Sequence, residues 1–257
     1  MASGIRLQVC GPLAIEYAGT VILERQLPGR QARRLWAYLV LNRRRPVPRD
    51  ELATAIWGDA IPDAWDASLN AIVSRLRGVL GRLGAASDGL AIRGSGGRYT
   101  LELPDEAFID FERGWRALLR AESALRERDY PACVAEALIA RGIAARSFLP
   151  GEDAPWIEVQ RRVLADTLVQ ATELSGEAEL ARGAASDAQR LAREVVDLDA
   201  LRESGYRLLM RSLAASGNGA QASRVMEECR SALRELAGAR PSAETERVFR
   251  EVTATAV

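Results

Sequence analysis

The sequence predicts two successive folds, an α+β unit over residues 1–104 and an all-α unit over residues 105–257. Three observations carry this reading. Strand-like alternation of period two is confined to the first hundred or so residues, whereas helical periodicity fills the chain from residue 110 onward. Charge also changes sign between the parts: residues 1–104 hold 14 Arg against 9 Asp plus Glu, +5, and residues 105–257 hold 21 against 26, −5. Finally, 257 residues exceed the roughly 100 to 200 typical of one domain.

The elements of the first unit follow in order. Ile5-Arg6-Leu7-Gln8-Val9 alternates, Gly11-Pro12 turns the chain, Leu13-Ala14-Ile15-Glu16-Tyr17 alternates again, and residues 20–23 form a third strand after Gly19. The pattern becomes helical over residues 31–41, with Leu35, Trp36, Tyr38 and Leu39, and stops near Asn42. A second helix opens at Pro48, places Asp50 and Glu51 in its first turn where the helix dipole favours acids, and ends at Gly58. A third helix, from residue 63 or 65 to residue 83, carries Leu69, Ile72, Val73, Leu76 and Leu80 on one stripe of about 100°. Residues 89–93 and 98–103 then alternate on either side of Gly94-Ser95-Gly96-Gly97, a hairpin signal. Strands, three helices and a hairpin in this order make a winged helix-turn-helix of the OmpR type.

Composition excludes several kinds of chemistry. The chain has no histidine and no lysine, all 35 basic residues being arginine. Lack of histidine removes the commonest general base and metal ligand, and lack of lysine removes the Walker A loop and the Schiff-base enzymes. Cys10, Cys133 and Cys229 are too few and too scattered for a disulfide framework or a zinc site and are expected as buried small residues. Glu152 and Asp153 form an acidic pair in a loop with no supporting constellation, so neither a catalytic residue, a metal site nor a cofactor is expected. No apolar run approaches the ~20 residues of a membrane span, and Met1-Ala2-Ser3-Gly4 does not resemble a leader, so the expectation is a cytoplasmic protein without membrane contact.

The distribution of arginine points instead to a polyanion. Residues 30–49 contain Arg30, Arg33, Arg34, Arg43, Arg44, Arg45 and Arg49 and no acid. Of these, Arg33, Arg34 and Arg49 are candidate phosphate contacts. Opposite its apolar stripe the third helix shows Ala67, Asn70, Ala71, Ser74, Arg75 and Gly78, with Arg77 and Arg82 at the margins. Only such a low profile lets a helix enter the roughly 12 Å major groove while Arg and Asn reach base edges or phosphates. Asn70, Ser74, Arg75 and Arg77 are therefore the candidate reading residues, with Arg75 and Arg77 about 200° apart on the helix. Arg93 and Arg98, placed at the hairpin tip, are candidate wing contacts.

Arg33-Arg34-Leu35, the run from Glu51 through Trp57-Gly58-Asp59, and Val73-Ser74-Arg75-Leu76-Arg77 followed by Leu80-Gly81 resemble the Streptomyces antibiotic regulatory protein (SARP) family. The resemblance extends over nearly the whole chain. It implies a winged helix joined to a tetratricopeptide-like bacterial transcriptional activation domain, in the short form without an ATPase module. It further implies a transcriptional activator that binds direct repeats in double-stranded DNA as a homodimer, contacts RNA polymerase holoenzyme, and is nucleoid-associated when bound. Departures from the family pattern are Gly78, Ala71-Ile72, Arg98 between the wing glycine and Tyr99, and Val225-Met226 in the penultimate helix.

Beyond Pro104-Asp105, helices fit residues 110–129, 131–147, 155–174, 185–197, 201–216, 219–237 and 242–253, with the longest loop at 147–155. Self-similarity is weak and confined to 110–147 and 201–237. A helical-repeat adaptor with a vestigial winged domain stays open as an alternative, since the acidic second part suits a basic partner.

Overall fold

A computed structural model of the protein describes residues 4–84 and 89–254. Met1, Ala2 and Ser3 of the start read for a leader lie outside the described residues, as do the last three residues of the second unit. Two compact units are present, and they divide differently from a cut at 104/105. The first comprises Met1–Arg113 together with Arg146–Leu164, and the second Gly114–Ala145 with Ala165–Val257.

In the first unit, β1 (Arg6–Gln8), β2 (Ala14–Tyr17) and β3 (Thr20–Leu23) form an antiparallel meander with Leu7 opposite Ile15 and Ile15 opposite Ile22. Three helices follow: α1 (Arg30–Leu41), α2 (Arg49–Trp57) and α3 (Trp65–Gly81), with the two-residue strand β4 (Val47–Pro48) before α2. The wing is β5 (Ala91–Ser95) and β6 (Arg98–Glu102), and β4 pairs with β6 to make a three-stranded sheet. Gly96 and Gly97 alone link the wing strands, both at positive φ, the conformation a two-residue hairpin turn demands. The wing turn is thus shorter than the four-residue linker expected from the sequence.

A fourth strand, β7 (Phe108–Ile109), lies parallel to β1 and closes the sheet in the order β3-β2-β1-β7. It leads directly into α4 (Asp110–Arg126), whose first residue fastens it to the sheet. The Asp110 carboxylate accepts from the backbone N–H groups of Val9 at 2.9 Å, Cys10 at 3.0 Å and Phe111 at 2.8 Å.

The second unit is all helical. It contains α4 from Gly114, α5 (Tyr130–Ala144), α6 (Pro155–Ala181) from Ala165, α7 (Ala185–Leu198), α8 (Glu203–Ala215), α9 (Ala222–Ala237) and α10 (Ala243–Ala254). Ala117, Ala121, Ala137, Ala140, Ala171 and Ala178 dominate the contact of α4, α5 and α6, and such small side chains let helix backbones approach closely. Tyr206, Leu209, Leu213, Met226, Cys229 and Val248 form the core of α8, α9 and α10. The two weakly similar stretches are the helix pairs α4–α5 and α8–α9. All three cysteines are free and buried, as their spacing suggests. No helix among the described residues is long and apolar enough to cross a membrane.

Helix α6 runs to Ala181, seven residues past the end expected at 174. Gly176 looks like a breaker in sequence but is a packing position: a Cβ there would lie 2.6 Å from Leu208 Cδ2. Gly205 in α8 is tighter in effect, because its Cβ would meet Val195 Cγ1 at 2.7 Å and a β-branched side chain yields little. Gly142 in α5 faces open space instead. Gly205→Ala is therefore expected to destabilise by about 1–2 kcal/mol through overpacking, while Gly142→Ala stabilises by up to about 1 kcal/mol through helix propensity. Urea denaturation followed by circular dichroism checks the opposite signs.

Candidate nucleic-acid interface

The helix α3 has the two faces its periodicity requires. Leu69, Ile72, Val73, Leu76, Val79 and Leu80 are buried, and Ala67, Asn70, Ala71, Ser74, Arg75 and Gly78 are exposed. Arg75 extends along its own helix, its Nε donating only to the Ala71 carbonyl at 3.3 Å. Ser74 stands beside it in solvent. The Ser74 hydroxyl and the terminal nitrogens of Arg75 are open to a ligand.

Asn70, Arg49 and Arg77 are held by the protein itself. Arg49 leaves the start of α2 and donates to Asp66 Oδ1 through Nε at 2.9 Å and Nη2 at 2.6 Å, to Asn70 Oδ1 at 3.0 Å, and to the Tyr99 hydroxyl at 2.9 Å. Tyr99, on β6, donates in turn to Asn70 Oδ1 at 2.9 Å. The Arg49 backbone N–H also reaches the Gly97 carbonyl at 3.2 Å. This network joins the beginnings of α2 and α3 to the wing. Asn70 Oδ1 already accepts two donors, so a base-edge contact by this candidate reading residue competes with the network.

Arg77 performs a similar bridging role on the other side of Tyr99. Its Nε donates to the Ile92 carbonyl of β5 at 3.0 Å and its guanidinium lies 6.0 Å from the Tyr99 ring centroid. Gly94, paired with Tyr99 across the wing, leaves room for the ring, since a Cβ would lie 3.0 Å from Cε1. Sequence projection placed Arg77 at the margin of the reading face. The structure turns it back onto the wing.

The wing arginines differ from each other. Arg93 sits within β5 and not at the tip, and its Nε donates to Glu102 at 2.9 Å. Arg98 adjoins the Gly96-Gly97 turn, is exposed, and has no carboxylate partner among the described residues.

Arg33 and Arg34, expected at phosphates, serve a buried carboxylate. The Glu152 side chain is 2% exposed and accepts from Arg30 Nε at 2.7 Å, Arg33 Nη2 at 2.9 Å and Arg34 Nε at 2.8 Å. Arg34 spends its remaining nitrogens on the Ile56 and Asp153 carbonyls, at 2.9 and 2.7 Å. It is buried and closed to a phosphate. Arg43 and Arg45 are likewise committed, to Glu112 and Glu51. Of the acidic pair, Glu152 is thus neutralised by guanidinium groups, whereas Asp153 is exposed and contributes its backbone carbonyl. Sequence reasoning missed this, because the partners lie more than a hundred positions apart.

A winged helix followed by an all-helical unit is an architecture shared with transcriptional regulators. Comparison with known proteins narrows the class. The family described as "Transcriptional regulatory protein, C terminal" matches residues 27–96, and the "Bacterial transcriptional activator domain" matches residues 109–253, more than half of the chain. The regulatory protein AfsR of Streptomyces coelicolor is 30% identical over 215 residues, covering 82% of this chain and 20% of AfsR. The chain therefore spans about a fifth of the length of that relative. The fold is similar to that of Mycobacterium tuberculosis EmbR, solved in complex with a low affinity phosphopeptide, with a TM-score of 0.88 at 23% identity over 97% of this chain and 65% of EmbR. The chain belongs to the SARP family of transcriptional regulators, with an OmpR-type winged helix and a bacterial transcriptional activator domain.

The Glu152 cluster makes the winged unit acid-sensitive. Burial alone would raise the Glu152 carboxyl, but the hydrogen bonds from Arg30, Arg33 and Arg34 outweigh it and hold the group below the ordinary carboxylate range. Its stabilising contribution is complete above the unfolded value near ~4.3 and disappears as pH falls through the lower folded value. Glu152→Ala is expected to cost about 3 kcal/mol at neutral pH by leaving Arg34 buried and unpaired, and the gap to wild type should close on acidification. Urea titrations followed by tryptophan fluorescence, to which Trp36, Trp57, Trp65 and Trp156 of this unit contribute, measure it.

Proposed function

We propose that the protein is a sequence-specific DNA-binding activator of transcription. The observation that carries this reading is the exposed face of α3, where Ala67, Ala71 and Gly78 leave the backbone uncovered around Ser74 and Arg75. In this reading α3 lies in the major groove, Arg75 contacts a guanine edge or a phosphate, and Arg98 reaches the flanking backbone or minor groove from the wing. Arg49, Asn70, Arg77 and Tyr99 keep helix and wing in one relation. Two copies bind direct repeats near a promoter, and the helical unit supports contacts with the second copy or RNA polymerase. The activator-domain match supports that last role.

A bidentate Arg–guanine contact is worth about 1–3 kcal/mol of discrimination. Arg75→Ala should therefore weaken binding to the operator selected from random duplexes by about tenfold or more in a mobility-shift titration, with smaller loss on unrelated duplex. Unchanged operator affinity in both Arg75→Ala and Arg98→Ala would remove this face from the interface. Salt dependence separates the regulator from an adaptor: log affinity for DNA should fall with log salt by about 0.9 per phosphate contact.

Asp66 adds a test of opposite sign. Its side chain is 62% exposed at the entry of α3 and engages Arg49. Asp66→Asn should release Arg49 toward phosphate, raising affinity for unrelated duplex and steepening the salt slope by about one contact while lowering the specificity ratio.

A further inference from the structure

The helical unit contains a groove for which the DNA-binding reading has no use. It has a volume of about 500 Å³, in the range of ligand sites, and is built from three helices. One wall is Ser186, Gln189, Arg190 and Arg193 of α7; the other is Gln221, Arg224, Val225 and Glu228 at and within the start of α9. Both sets recur at i, i+3, i+4 and i+7, the spacing that puts side chains on one helix face. Leu209 and Leu213 of α8 form the floor.

The charges in the groove are unequal. Three guanidinium groups face a single lining carboxylate, Glu228, which Arg193 engages at 2.6 Å across the i+7 positions. That pair closes one end. Among the described residues Arg190 pairs only with the exposed Asp187 of its own helix, at 3.5 Å, an arrangement worth little in water. Arg224 is exposed and has no carboxylate partner among the described residues. The result is a positive channel in a part of the chain whose residues 105–257 carry −5.

We propose that this groove is a docking site for a short acidic peptide segment of a partner protein. Arg190 and Arg224 flank the middle of the channel from opposite walls, where they can grip carboxylates on either side of an extended chain. Gln189 and Gln221 each offer a donor and an acceptor, the pair a peptide bond requires, and the aliphatic floor takes a small apolar side chain. The seven rises from i to i+7 on each wall span about 10 Å, room for about three extended residues. The acidic surroundings disfavour a long polyanion such as DNA, whose charge extends beyond the channel, more than a segment confined within it.

The test uses the whole chain and a fluorescein-labelled hexapeptide of alternating Glu and Leu, followed by anisotropy at low salt. Saturable binding is expected, weakened about tenfold or more in the Arg190→Glu, Arg224→Glu double variant and tightened severalfold in Glu228→Gln, which removes the lining carboxylate and frees Arg193. A Lys-Leu hexapeptide should not bind. Methyl resonances of Leu209, Leu213 and Val225 in the wild-type protein should shift on titration, a readout independent of how the variants fold. The proposal is overturned by absence of saturation at millimolar peptide, by equal affinity in the double variant, or by methyl shifts elsewhere only. Displacement of the peptide by unrelated duplex DNA, accompanied by the same methyl shifts, would assign the groove to nucleic acid and overturn it equally. None of these outcomes depends on operator recognition by α3.

Discussion

The winged unit depends on one buried carboxylate. Removing Glu152 from water carries a penalty of several kcal/mol, and only the convergence of Arg30, Arg33 and Arg34 offsets it. Those three guanidinium groups leave α1 on the side that meets residues 146–154. Arg161 holds the same loop from its other end, donating to the carbonyls of Phe148, Leu149 and Glu152. Arg34 and Arg161 together satisfy four backbone carbonyls of this loop, those of Phe148, Leu149, Glu152 and Asp153. Arg34 and Trp156 also reach the carbonyls of Ile56 and Ala55 at the end of α2. The helix that precedes α3 is consequently anchored by a segment a hundred positions downstream.

That arrangement changes the meaning of the basic run. Seven arginines without an acid look like a polyanion site when only neighbours in sequence are counted. In space, six of them answer Glu152, Glu112, Glu51 or Asp66, and Arg44, 76% exposed and 4.0 Å from Glu112, stays mostly in water. The excess of positive charge in the first unit is real, but much of it stitches elements together. Arg75 on α3 and Arg98 beside the wing turn are among the arginines left without a carboxylate partner among the described residues.

Features set by local repetition were legible in the sequence, and features set by distant pairing were not. The buried stripe of α3 follows from spacing alone, and so do the bounds of α1 and α7 to within a residue. The fold class and the exposed face followed with them. The strands β4 and β7 have two residues each, too few for alternation to register, and exist because β6 and β1 supply partners. Arg77 stood at the edge of the reading face in projection because a helical wheel contains no wing. Its carbonyl partner on Ile92 belongs to a strand fifteen residues later. Nothing in the sequence marked Glu152 as a buried centre, since acids in a loop are usually solvated.

The same distinction separates two kinds of polar group at the interface. Arg49, Asn70 and Tyr99 satisfy one another and Arg77 is tied to the Ile92 carbonyl, so their geometry is set before any ligand arrives. Ser74, Arg75 and Arg98 have weak partners or none, and their freedom is what a ligand must restrict. Ordering a mobile arginine carries an entropic penalty of about 0.5–1.5 kcal/mol, so a surface made only of free arginines would bind any phosphate weakly and read little. A surface made only of locked ones would have no donors to offer. Placing the free donors on a rigid frame confines the penalty to a few side chains, and an error of register then costs contacts that the frame prevents from re-forming elsewhere. In the DNA-binding role proposed above, discrimination between sequences arises from that rigidity, with the excess positive charge adding attraction common to all of them.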